Sequence, residues 1–147
     1  VAMARPRQRE DLARLMGATH FVISEEELAE ALAGERPHTV YECVGKPGMI
    51  EWCVGYVRPR GAIVVAGVCA CADMFTPAYS AIKEVRLQFV LAYSLKDFTD
   101  VAIEMDGGAE ELRAIVTDSV SFDQFPSAFE ALRRRTQQCK IMLDPAA

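Results

Sequence analysis

Residues Thr39–Val68 read TVYECVGKPGMIEWCVGYVRPRGAIVVAGV, and this stretch decides the fold. Thr39 to Val44 reads as a buried strand, rich in residues that fit a pleated surface. Gly45-Lys46-Pro47-Gly48 is a turn. Met49 to Val57 has helical spacing, with Ile50, Cys53 and Val54 on the inward face. Ala62 to Val68 is a second strand. Strand, helix and strand joined by short loops make a crossover unit, whose stable setting is a mostly parallel sheet with helices on both faces.

The pattern extends in both directions. Upstream, Val1 to Ala4 is a short strand, and a helix runs from Gln8 with Leu12, Leu15 and Met16 on one face, closed by Gly17. Phe21-Val22-Ile23 is another strand. Ser24 with Glu27 three residues later forms a capping box, and Leu28, Ala31 and Leu32 then make the apolar stripe of a short surface helix ending at Gly34. Downstream, Val85 to Tyr93 is a strand and Lys96 to Met105 a helix, followed by Gly107-Gly108. Five strands precede that glycine pair. Beyond it come Ala114 to Val120 (strand), Asp123 to Arg135 (helix, with Phe125, Phe129 and Leu132 on one face) and Lys140 to Leu143 (strand), an appendage more than a continuation. Two segments are therefore expected, 1–108 and 109–147, the second a β-α-β addition to the first.

Composition narrows the function classes. The chain has 147 residues, 51% hydrophobic and 25% charged, which excludes a disordered or collagen-like segment. One compact domain is the first expectation, with an apolar core that needs no disulfide or metal. A net charge of -5 argues against nucleic acid as a partner, since phosphate contacts need surplus Lys and Arg. The five cysteines Cys43, Cys53, Cys69, Cys71 and Cys139 are odd in number and sit in apolar runs without a signal stretch before them, which points to a reducing, cytoplasmic setting. The longest apolar run, Ala62 to Ala72, is far short of the ~20 residues a membrane-crossing helix needs and is broken by Gly67, so no membrane partner is expected.

Several pieces, taken in order, resemble one family. They are Arg14-Leu15-Met16-Gly17-Ala18-Thr19-His20, Glu42-Cys43-Val44-Gly45, and Val57-Arg58-Pro59-Arg60-Gly61 leading into Ala62-Ile63-Val64-Val65-Ala66-Gly67-Val68. Phe75-Thr76-Pro77, Lys83-Glu84, Asp97-Phe98, Phe125-Pro126-Ser127-Ala128-Phe129 and Lys140-Ile141-Met142-Leu143-Asp144-Pro145 follow in the family's sequence. The chain resembles the C-terminal half of the medium-chain dehydrogenase/reductases, the zinc-type alcohol dehydrogenase superfamily. The resemblance implies an α/β, Rossmann-like cofactor domain and an NAD(P)-dependent oxidoreductase of the alcohol, aldehyde or ketone class.

The same resemblance says what this stretch lacks. The zinc-bearing catalytic domain, the first Rossmann strand and its glycine-rich turn would all precede Val1, and no G-x-G-x-x-G occurs in the sequence. That turn is what brings backbone N–H groups and a helix N-terminus to the cofactor pyrophosphate. The expected strand order is 3-2-1-4-5-6, so the absent strand is the central one. Its neighbours, Val1 to Ala4 and Thr39 to Val44, would each be left with an unpaired edge. Direct pairing of the two, a strand lent by another copy, or a missing N-terminal half as partner would close the gap. An initial Val in place of Met fits a truncated or processed chain.

No residue stands out as catalytic. For the cofactor, Arg5 falls where the family places the acidic residue that holds the adenosine ribose. With Arg7 and Arg9 near it, Arg5 would accept the 2′-phosphate of NADP in preference to NAD, or else the three are surface arginines at a solvated helix start. Cys43, Val44 and Gly45 end the fourth strand and Ala66, Gly67 and Val68 the fifth, both at the carboxyl edge where open α/β sheets bind ligands. Resemblance places the first triplet toward adenosine and the second toward nicotinamide, with Val90, Leu91 and Ala92 approaching the same ring. The competing reading is that these are buried strand ends, with the functional weight on the backbones of Gly45 and Gly67.

Cys69-x-Cys71 has two soft donors but no visible third, with His20 and His38 elsewhere, so no zinc is expected here. Asp97, Asp100, Glu104 and Asp106 read as a charged helix face. The apolar strand from Val85 to Tyr93 lacks Lys or Pro guards and is expected to pair with its symmetry mate in a homodimer. The competing functions are the cofactor-binding portion of a dehydrogenase, inactive on its own, and a non-catalytic Rossmann module that dimerises or binds a nucleotide or other small ligand.

Overall fold

The computed structural model describes residues 1–108, 110–134 and 138–145. The chain forms two compact units, Gly34–Ser94 and a second assembled from Val1–Ala33 with Leu95–Ala147.

In the first unit, strands β3 (Thr39–Glu42), β4 (Ala62–Val65) and β5 (Arg86–Phe89) form a parallel sheet in the order β3-β4-β5. Helix α3 (Met49–Tyr56) follows β3 and α4 (Pro77–Ile82) follows β4. The second unit holds β1 (Ala2–Met3), α1 (Glu10–Leu15), β2 (Phe21–Val22) and α2 (Glu25–Leu32), then α5 (Leu95–Asp106), α6 (Glu110–Arg113), β6 (Val116–Val120), α7 (Phe125–Ala131) and β7 (Lys140–Leu143). There β1 pairs with β2 and β6 with β7, again in parallel. Parallel ladders alternating with helices give each unit its α/β character, and the α/β, Rossmann-like fold class is what the structure has.

The core of the first unit is Cys53, Val54 and Val57 from α3 and its end, packed on Ile63 and Val65 of β4. Val40, Ile50, Trp52, Val85 and Leu87 surround them. The inward face expected for the helix is thus the buried one, with Val57 and Ile63 fully enclosed. In the second unit Phe21, Val22 and Leu28 are buried, and no described residue from 95 to 145 is. The core is not purely apolar, because Glu42 is 97% buried beside these side chains, at 3% exposure.

The three expected strands of this sheet are longer than the observed ones, for physical reasons. The Thr39–Val44 strand stops at Glu42 because that side chain captures the Val44 and Gly45 N–H groups, which leaves them unable to join a ladder. The Ala62–Val68 strand stops at Val65 because the N–H groups of Ala66 and Gly67 both donate to the Glu42 carbonyl, at 2.8 and 2.9 Å. The Val85–Tyr93 strand ends at Phe89 after a last link from the Val90 N–H to the Val65 carbonyl, since its partner β4 has ended there. Ala92 and its neighbours therefore lie outside any strand.

The capping box at α2 is present with one change. Ser24 Oγ accepts from the Glu27 N–H at 3.3 Å, while Glu27 Oε2 accepts from the Ile23 N–H at 3.1 Å, one residue beyond the cap. The helix closes on Ala33 in the left-handed region, before Gly34. The helix expected from Gln8 is a single 3-10 turn, Arg7–Arg9, followed by α1, which buries no residue. The helix expected over Asp123 to Arg135 is α7, which begins with Phe125 and Pro126 in its first turn. Its expected last residue, Arg135, lies outside the described residues. Helix α4 has no counterpart in the sequence reading, although Thr76 followed by Pro77 is a helix-start signal.

Candidate functional site

The parallel strands β3, β4 and β5 end at one edge, with Glu42 paired to Val65 and Val65 to Phe89. A cleft of about 350 Å³ opens at this edge, toward the lower end of the range typical of ligand pockets. Val65, Gly67 and Val68 line it from β4 and its loop, and Phe89, Val90 and Leu91 from β5 and beyond. Glu42 of β3, Lys46, Ile50 of α3, Cys69, Cys71 and Asp73 complete the lining.

The loops after β3 and β4 meet backbone to backbone. A methyl group on Gly67 would lie 2.3 Å from the Gly45 nitrogen, and one on Gly45 would lie 2.6 Å from the Val68 nitrogen. Gly45 is also left-handed, with φ of 66°. Glu42 joins the two loops. Its Oε1 accepts from the Val44 N–H at 2.6 Å and the Gly45 N–H at 2.8 Å, and its own carbonyl receives Ala66 and Gly67. The outer rim is fixed by two other carboxylates, Asp73 Oδ1 accepting from the Gly48 N–H at 2.7 Å and Glu51 Oε2 from the Thr76 N–H at 2.7 Å. Parallel strand ends with close-set glycines leave backbone, not bulk, facing the cleft, which suits a flat ring or a sugar lying against the strands.

Of the residues singled out in the sequence, Gly67, Val68, Val90 and Leu91 line the cleft. Gly45 stands behind Gly67 as its contact. Val44 and Cys43 are exposed, the first with its N–H tied to Glu42. Ala66 and Ala92 are exposed and do not line the cleft. Arg5 belongs to the other unit, where its Nε donates to the Ile23 carbonyl at 2.9 Å just past β2. Arg7 pairs with Glu27 and, at 3.5 Å, with Glu10, while Arg9 donates to the Gln138 carbonyl at 2.8 Å. The sequence reading missed Glu42 and Lys46. The one signal in the sequence is position, a Glu inside the expected strand three residues before a glycine and a Lys directly after that glycine.

Cys69 Sγ donates to the Cys71 carbonyl at 3.5 Å, and the two thiols fall short of the four donors of a closed zinc site. Among the described residues no three His, Cys, Asp or Glu side chains come together as a metal would need. His38 Nε2 lies 3.0 Å from Arg58 Nη1 and His20 Nδ1 lies 3.1 Å from Thr19 Oγ1, so both histidines are occupied locally. Asp100 pairs with Lys96 one turn away on α5, in keeping with a charged outer face. No helix among the described residues is long and apolar enough to cross a membrane.

Comparison with known proteins gives a consistent result. The profile of a family described as zinc-binding dehydrogenase matches residues 1–106. A protein provisionally named D-xylulose reductase from Rhizobium meliloti (strain 1021) is 29% identical over 124 residues, 83% of this chain and 35% of that protein. Among solved structures, the alcohol dehydrogenase TADH from Thermus sp. ATN1 superposes with a TM-score of 0.83 at 23% identity, over 97% of this chain and 43% of that one. The 2R,3R-butanediol dehydrogenase from Bacillus subtilis gives 0.80 at 22%, over 98% and 43%. An alcohol dehydrogenase from E. coli CFT073, complexed with the cofactor NADH, gives 0.80 at 19%, over 96% and 43%. The chain spans about two fifths or less of the length of these proteins.

Proposed function

The chain belongs to the zinc-binding dehydrogenase family, and from that premise we propose that it is the nicotinamide-dinucleotide-binding portion of an NAD(P)-dependent oxidoreductase acting on alcohols, aldehydes or ketones. The observation that carries this reading is the cleft at the ends of β3, β4 and β5, floored by Val65 and Gly67. Its volume accommodates the nicotinamide end of a dinucleotide and not the whole molecule. Val68, Val90 and Leu91 offer an apolar wall to the ring, with Gly67 leaving the approach open. When bound, the cofactor supplies the hydride chemistry. What these residues contribute is a shaped, largely apolar seat. In the family the resemblance points to, pyrophosphate anchorage and zinc belong to a glycine-rich turn and a catalytic domain, and on this reading the chain alone binds the cofactor without turning over.

For the adenosine half of the cofactor, we propose NADP over NAD, on the strength of Arg5, Arg7 and Arg9 in the ten residues after β1. Arg5 is exposed, and a guanidinium is well matched to a phosphate dianion. Calorimetric titration of the chain with NADPH and NADH tests both points. Binding of either supports the cofactor reading, tighter NADH overturns the NADP preference, and binding of neither overturns the whole. The free thiols Cys43, Cys53, Cys69, Cys71 and Cys139 fit a reducing, cytoplasmic setting.

A second reading, a dimerising or ligand-binding module without catalysis, is favoured by the edge of the sheet. Among the described residues β5 has β4 on one side only, and Phe89, Leu91 and Tyr93 are 62%, 80% and 77% exposed. Isologous pairing of two copies through 85–93 would satisfy the open backbone and cover these side chains. Sedimentation of the purified chain distinguishes the states, and a monomer mass that persists at high concentration refutes the pairing.

A further inference from the structure

Glu42 has two carboxylate oxygens and the fold uses one. Oε1 is committed to the Val44 and Gly45 N–H groups. Among the described residues no hydrogen bond reaches Oε2, which lies so close over Gly67 that a methyl group there would be 2.6 Å from it. The residue is 3% exposed, and the surface it keeps is part of the cleft lining. Oε2 is not among the fully enclosed polar atoms left without a partner, so it keeps a small surface toward the cleft, where water or a ligand can donate to it. Burying this carboxylate for loop clamping alone is uneconomical, because an amide oxygen would accept the same two N–H groups without a charge.

We propose that Glu42 is a ligand-contacting residue, whose free Oε2 accepts a hydrogen bond from a sugar hydroxyl held in the cleft. This rests on the cofactor reading above and names the group recognised, a hydroxyl of the ribose attached to the nicotinamide. A carboxylate can only accept, so the group it faces must donate, and a ribose lying against Gly67 presents hydroxyls to that floor. Lys46 is the one cation among the lining residues. Gly67 is then required twice over, for the contact with Gly45 and for access to Oε2.

The test uses the 147-residue chain and whichever of NADH or NADPH binds it more tightly, beside the analogue of that dinucleotide lacking both hydroxyls on the nicotinamide ribose. The unaltered chain is expected to bind the parent about tenfold more tightly than the analogue, as a charge-assisted hydrogen bond allows. Glu42→Gln keeps an oxygen for Val44 and Gly45, and is expected to weaken the parent and shrink the discrimination to about twofold. A merely structural role would weaken both ligands equally. Equal binding of the two by the unaltered chain, which needs no variant to fold, overturns the inference and leaves the cofactor reading standing. Full discrimination retained by Glu42→Gln overturns it too, and failure of the unaltered chain to bind either dinucleotide overturns both readings together.

Discussion

Gly67 and Gly45 touch through their backbones, a Cβ on Gly67 falling 2.3 Å from the Gly45 nitrogen. The obstacle is main chain held by the Glu42 carboxylate and carbonyl, so it cannot rotate away as a flexible side chain would. The need at Gly67 is for space, whereas Gly45 needs both space and a left-handed φ. Gly67→Ala is expected to destabilise the unit by about 1–3 kcal/mol, the usual cost of overpacking, and to weaken dinucleotide binding. Thermal melting beside calorimetry checks it, and an unchanged melting temperature would mean the loops are not held as described.

Gly55 makes the opposite case. It lies in α3 with nothing within 4 Å of its would-be Cβ, and it has no positive φ. Gly55→Ala is expected to stabilise by about 0.5–1 kcal/mol, because alanine loses less backbone freedom in a helix. A lower melting temperature would contradict the open space around it.

These two glycines also mark what the sequence could and could not show. Element existence was legible wherever periodicity and stop signals agreed, as for α3 with its inward Ile50, Cys53 and Val54, for Ser24 with Glu27, and for Lys140–Leu143, which is β7 to the residue. The ends of β3, β4 and β5 were not legible, because they are set by side-chain capture of N–H groups and by where the neighbouring strand stops, neither of which periodicity carries. β3 stops where its own glutamate takes the next two N–H groups, and β5 stops where β4 runs out. Four of the ten expected cofactor residues line the cleft because parallel strands end together, a property of topology that sequence order carries. Glu42 escaped notice because a charged residue inside an apolar strand becomes informative only once its burial is known.

Lys83 ties α4 to the end of α3. Its ammonium donates to the carbonyl oxygens of Val54, of Gly55 at 3.1 Å and of Val57 at 2.8 Å, satisfying acceptors that a helix C-terminus leaves open. Lys83→Met keeps the stem and removes the donors, and is expected to cost about 1–3 kcal/mol. Chemical denaturation of the two chains measures this directly. A loss within experimental error would show that water replaces the ammonium at those carbonyls without penalty.

Cys53 gives the alkaline end of the stability profile. Burial pushes its thiol up to about 11 from an ordinary 9.0, with the negative charges of Glu42 and Cys43 adding to the shift. Between those values the unfolded chain sheds this proton and the folded chain keeps it, so the folded state binds more protons and its stability falls as pH rises. The contribution is whole below pH 9 and lost as pH passes through about 11. Cys53→Ala creates a small cavity and lowers stability at every pH, but its stability should decline less steeply from pH 9 to 11 than that of the unaltered chain. Below pH 9 the exposed Cys43, Cys71 and Cys139 should alkylate in the folded protein while Cys53 does not, as peptide mass mapping would reveal. Parallel alkaline slopes for the two chains, or early labelling of Cys53, would show that the thiol reaches solvent and that α3 is not seated on β4 as tightly as its full burial implies.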